Sequence, residues 1–169
     1  MRGLSMEIIP EELVEETWQE VAKFTPEKAY DEMMKVGKHQ PYLLAFIMEF
    51  SEELEREAKE LAIYLFFVVY RMFQKGSGKK IKRISGEEIM ECYEGNEELM
   101  GNLEGVHEKF LDRIAKVQLS RQPYVMKYMM ETIIEAPDEE EDSVKLSDND
   151  IGFLFLLLKT VVDVLDRNG

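Results

Sequence analysis

The chain has 169 residues, 45% hydrophobic and 33% charged, with a net charge of -14. That is the length and composition of one globular domain, and it excludes both a disordered chain and a mini-protein that needs disulfides or a metal to complete its core. The charge is uneven: residues 1–85 carry 13 basic and 15 acidic side chains (net -2), residues 86–169 carry 8 and 20 (net -12), and such a surface repels phosphate backbones, so nucleic acid is not an expected partner.

Helix start signals recur along the chain. Pro10 opens a predicted helix to Phe24 with an apolar stripe of Leu13, Val14, Thr17, Trp18 and Val21. Thr25-Pro26 opens a second to His39, with Tyr30, Met33, Met34 and Gly37 on one face. It ends there because the residue before a proline is pushed out of the helical region. Pro41 starts a short helix to Phe50. Ser51 is placed to cap a long one over Glu52 to Gln74, whose stripe is Leu54, Ala58, Leu61, Leu65, Val68 and Met72.

A glycine-broken basic loop comes next, carrying Lys75, Lys79, Lys80, Lys82 and Arg83. Ser85 with Glu88 forms a capping box for a short helix ending before Gly95. Asn96 then begins a helix to Leu119, and Pro123 another to Glu135. The acidic stretch 137–142 is expected as a mobile loop, and deletion of Asp138 to Asp142 is expected to leave stability unchanged. Ser147 with Asp150 starts the last helix, to Asp166. No period-2 strand is present, so the fold is expected to be all-α. The segments Leu61 to Phe73 and Ile151 to Leu165 are strongly apolar but shorter than the roughly 20 residues that span a bilayer, and read as buried core helices.

One motif occurs twice. Glu27 to Val36 matches Glu108 to Val117 at an offset of 81, and Gln40 to Glu49 matches Gln122 to Glu131 at an offset of 82, each copy turning on Gln-Pro-Tyr. Chance gives about one identity in fifteen positions at average amino-acid usage. Here Gln40-Pro41-Tyr42 and Gln122-Pro123-Tyr124 are identical, as are Met48/Met130 and Glu49/Glu131. The expected architecture is a single compact bundle of 7–8 helices over residues 6–169, built from two diverged copies of a three-helix unit at about 26–74 and 106–167. Proline explains the start of each short helix. The glutamines and tyrosines are expected either to brace the corner, the amide bonding main-chain groups where the preceding helix stops and the ring packing on that helix, or to form a paired binding site.

Chemistry-bearing patterns are weak. Gly76-Ser-Gly-Lys-Lys80 lacks the first glycine, the Ser/Thr and the preceding strand of a phosphate loop. The basic residues of that loop remain candidates for an anion or partner contact. Glu104-x-x-His107 is one half of a di-iron element whose second half is missing, and His39 has no glutamate three residues before it. Glu49, Glu53, Glu57 and Glu60 flank the apolar stripe and read as a solvated face. Cys92 is the only cysteine, which excludes an intrachain disulfide and a cysteine-built zinc site, and no neighbouring cation favours its thiolate.

No catalytic residue, cofactor or metal is therefore expected. The composition favours a cytoplasmic, non-enzymatic helical protein that binds an unknown protein partner and itself, as a homodimer covering one of the two apolar helices. Two alternatives are a bundle holding an apolar or aromatic small molecule among Tyr64, Phe67, Tyr70, Phe73 and the 153–158 segment, and an enzyme whose site the pattern does not reveal. No short apolar run near Met1 or Met6 reads as a signal peptide.

Overall fold

A computed structural model describes residues 7–78, 80–102, 121–135 and 148–168. The expected helix beyond Asn102, the Glu104/His107 pair, the acidic stretch 137–142, Lys79 and the first six residues lie outside the described residues. Within them are seven α-helices, one 3-10 turn at Ser51–Glu53 and no strand. The helices are α1 (Glu11–Ala22), α2 (Pro26–His39), α3 (Pro41–Phe50), α4 (Arg56–Ser77), α5 (Gly86–Asn102), α6 (Pro123–Glu135) and α7 (Asp148–Asn168). None of the described helices is long and apolar enough to cross a membrane.

The two apolar helices, α4 and α7, pack on each other at the centre. Helix α1 lies on α4 and α5 lies on α7. Helix α3 touches α4, α5 and α7, whereas α6 touches α7, α1 and α4; α2 packs mainly on α3. Leu65, Phe66, Val68, Val69, Met72 and Phe73 of α4 are fully buried, and so are Leu154, Phe155, Leu157, Leu158, Val161, Val164 and Leu165 of α7. Each such side chain stabilises the fold by about 1.5–3 kcal/mol. The two helices cover each other and their neighbours close most of the rest, with Tyr64 of α4 left 39% exposed.

Four local differences from the sequence reading have physical causes. Helix α4 starts at Arg56, because the Ser51 hydroxyl donates back to Met48 O (3.3 Å) while its carbonyl accepts from Leu54 N (3.0 Å) to close a 3-10 turn, so it does not cap the long helix after it. It ends at Ser77, with Gly78 in the left-handed region at φ 70°. Helix α5 runs straight through Gly95, because the Asn96 side chain is drawn sideways onto α7 and does not cap a new helix. Helix α2 buries only Val36, leaving Tyr30 and Met34 of its predicted apolar face in solvent. Thr25 and Ser85 do cap, accepting from Lys28 N and Glu88 N at 3.1 Å each.

Candidate functional site

The two corners make the same contact. Gln40 closes α2 and opens α3 with its main chain, its N–H donating to Val36 O and its carbonyl accepting from Leu44 N. Its side chain, 0% exposed, is free to reach elsewhere: Nε2 donates to Lys82 O (2.7 Å) and Oε1 accepts from Ile84 N (3.0 Å). Gln122, 1% exposed, donates from Nε2 to Glu7 O (3.1 Å) and accepts at Oε1 from Ile9 N (3.0 Å). Each amide therefore brackets one carbonyl and the N–H two residues later, in the non-helical segment just before α1 or α5.

Each amide also meets the long helix that comes after its corner. Gln122 Nε2 donates to Asp166 Oδ1 (2.8 Å) on α7, with Arg121 Nη2 placed 2.8 Å from the other oxygen. The Gln40 amide lies beside Tyr70 on α4, where it partly offsets the upward push that burial gives that hydroxyl. The main chain bonded is remote in sequence, not the end of the preceding helix as expected. Nor do the tyrosines pack inward: Tyr42 is 53% and Tyr124 38% exposed.

The clamp on residues 7–9 seats Ile9, which is buried against Gly76 near the end of α4. A Cβ on Gly76 would lie 2.8 Å from Ile9 Cγ1. Helix propensity alone favours alanine over glycine by about 1 kcal/mol. Overpacking here is expected to reverse that sign, so Gly76→Ala should lose about 1–3 kcal/mol in thermal or denaturant unfolding. A gain in stability would show that Ile9 is not seated there.

The basic residues singled out from sequence do not converge. Lys75 lies on α4, where its ammonium pairs with Glu20. Arg83 donates to Lys38 O (3.2 Å) at the C-terminal end of α2. Lys82 contributes its carbonyl to the Gln40 clamp, and Lys80 is exposed. The stronger cation is Arg71, the one charged residue in the apolar stretch Leu61 to Phe73. Its Nε and Nη2 reach both oxygens of Glu20 (3.3 and 3.2 Å), and Nη1 reaches Glu32 (3.1 Å). It also stacks over Phe24, 5.2 Å from the ring centroid. The ion pair from Glu32 to Arg71 on α4 thus helps hold α2, which has little apolar burial of its own.

Hydrogen bonds from Arg71 and then Lys75 hold the Glu20 carboxyl down to about 2 from an ordinary 4.5. Because the folded value lies below the unfolded one, this stabilisation is complete above about pH 4.5 and fades as pH falls toward about 2. Glu20 is about a third exposed, so solvent screening keeps it modest. The stability gap between wild type and Arg71→Met should narrow across that window in urea titrations. A gap independent of pH would assign the loss to packing alone.

A second polar cluster, invisible to the motif reading, is buried between α5 and α7. The Lys159 ammonium, 3% exposed, donates to Asn96 Oδ1 (2.6 Å) and to Asp163 Oδ2 (2.7 Å). Asn96 Nδ2 donates to Thr160 Oγ1 (3.1 Å) and Asp163 Oδ2 (3.2 Å). The Cys92 thiol borders it, 4.0 Å from Asp163 Oδ2. Burial, and next the Asp163 carboxylate, pushes that thiol up to about 11, so it stays protonated at neutral pH and is a poor nucleophile. Lysine, asparagine and aspartate satisfy one another here, which suits a fixed helix crossing better than a reacting centre.

Other candidates disperse. His39, Glu49, Glu53, Glu57 and Glu60 are all exposed, and among the described residues no three His, Cys, Asp or Glu side chains group as metal ligands. Phe67, Tyr70 and Phe73, offered as the wall of a small-molecule site, are buried in the core. Large apolar side chains are exposed mainly on α2 and α3: Tyr30 (66%), Met34 (51%), Tyr42 (53%) and Met48 (42%). Compared with protein-family models, curated proteins and solved structures, the chain has no significant match in any of the three.

Proposed function

We propose that this is a non-enzymatic, protein-binding helical domain made of two diverged copies of one unit, with α2 and α3 as its contact surface. The observation that carries the binding reading is that four of the seven exposed large apolar side chains among the described residues, Tyr30, Met34, Tyr42 and Met48, fall on the consecutive helices α2 and α3, while Ile8, Tyr64 and Tyr124 are scattered elsewhere. Tyrosine and methionine are the residue types enriched where proteins meet, and methionine adapts to irregular partners. The buried polar groups at the corners and between α5 and α7 are paired with one another, which supports structural roles for them.

The duplication draws support from the packing as well as from the sequence. Exchanging α1 with α5, α3 with α6 and α4 with α7 turns each contact among these six helices into another contact of the set: α1 on α4 becomes α5 on α7, α3 on α5 becomes α6 on α1, and α3 on α7 becomes α6 on α4. The glutamine clamps obey the same exchange, each corner holding the lead-in of the other half. On this reading the first copy starts at Ile9 and runs through α1 to α4, and the second starts at Ile84, each one helix earlier than the sequence repeat marks.

The binding reading is tested by a photo-crosslinking amino acid at positions 30, 34, 42 and 48 in turn, in cells that naturally make the protein, with position 60 as an exposed control. A discrete crosslinked protein from the four positions and none from the control is expected. Absence of a product at all four would overturn the reading.

A further inference from the structure

The exposed side of α2 is complementary to itself. Its acids Glu27 and Asp31 lie toward the N-terminus and its bases Lys35 and Lys38 toward the C-terminus, with Tyr30 and Met34 between them, and all six are exposed. At about 100° per residue, Glu27, Tyr30, Asp31, Met34 and Lys38 share one face. No ion pair within the described residues engages Glu27, Asp31 or Lys38. We infer that the occupant of this face is α2 of a second copy of the chain, laid antiparallel across a twofold axis near residues 32 and 33, with Glu27 against the partner's Lys38 and the Tyr30 and Met34 side chains interleaved. The inference rests on the protein-binding reading above and names its partner.

A second copy is favoured on three physical grounds. An isologous interface must be its own complement, and an acid-to-base gradient about an apolar centre meets that requirement only when the helix runs antiparallel to its twin. The antiparallel arrangement also opposes the two helix dipoles favourably. Helix α2 is electrically balanced, with Glu27, Asp31 and Glu32 against Lys28, Lys35 and Lys38, so like-charge repulsion does not oppose self-association there. On the half of the chain that carries net -12 it would. One helix from each copy, extended by Tyr42 and Met48 at most, is a small contact, and a weak, concentration-dependent dimer is expected.

Sedimentation equilibrium on the full chain tests this. Wild type should reversibly reach twice the 19.8 kDa chain mass as concentration rises. Tyr30→Glu should weaken the dimer by more than about tenfold. Glu27→Lys and Lys38→Glu should each weaken it by about three- to tenfold, since each sets like charges across the twofold. Mixing these two variants should restore association, because a heterodimer of the pair again matches opposite charges at both contacts. These positions are solvent-exposed, so circular dichroism should be unchanged in every variant. A chain that stays monomeric up to about millimolar concentration, or a dimer indifferent to Glu27→Lys, Lys38→Glu and their mixture, would overturn the inference. A crosslink from position 30 to a different protein would then leave the binding reading standing without it.

Discussion

Gln122→Ala is expected to cost about 3 kcal/mol, as much as emptying part of the hydrophobic core. It strands the Ile9 N–H, which is buried, and removes a donor from the Asp166 carboxylate, which is buried at the end of α7. Each orphaned buried polar group costs about 1–3 kcal/mol. Gln40→Ala removes the bonds to Lys82 and Ile84, with no carboxylate involved, so about 2 kcal/mol is expected. For a domain of this size 1 kcal/mol moves the melting temperature by about 2–4 °C, so both losses are readily measured. A Gln40→Ala, Gln122→Ala double variant as stable as wild type would remove the structural role of the corners.

Asp163→Ala is expected to cost about 3–5 kcal/mol, because it leaves the buried Lys159 ammonium without its counter-charge. The informative comparison is with Lys159→Met, Asp163→Leu together. Replacing a buried ion pair by apolar side chains of similar size is often neutral or stabilising, so the double variant should recover most of the loss. Asn96 then loses acceptor and donor partners, which holds recovery below complete. Urea unfolding of the two variants side by side distinguishes a structural pair from a surface one: equal, small effects would place Lys159 in solvent.

The helices were legible because their punctuation is chemical. Proline at Pro26, Pro41 and Pro123 and the hydroxyls of Thr25 and Ser85 set local starts that packing did not override. Reading failed where a side chain does something non-local. Asn96 after Gly95 has the local appearance of a cap, yet its amide is spent across the bundle on α7. Ser51 turns back on Met48. The stripe on α2 has helical spacing, but periodicity does not say whether a face has anything to pack on. The corner glutamines were marked by their repetition, whereas their partners in segments 7–9 and 82–84 carry no signal that a pattern search detects. The Lys159 cluster did leave one: Lys159 and Asp163, four apart, interrupt a strongly apolar helix, where a buried ammonium needs a carboxylate beside it.

Each Gln-Pro-Tyr corner pins the segment leading into a helix remote from it in sequence, and amide hydrogen exchange at Ile9 and Ile84 tests this most directly. Both N–H groups lie outside every helix, and each has a glutamine side-chain oxygen 3.0 Å away. The expected result is exchange as slow as in the helix interiors, with Gln122→Ala releasing Ile9 while Ile84 stays protected, and Gln40→Ala doing the reverse. Exchange at both amides near the rate of an unprotected chain in the wild-type protein would contradict the account.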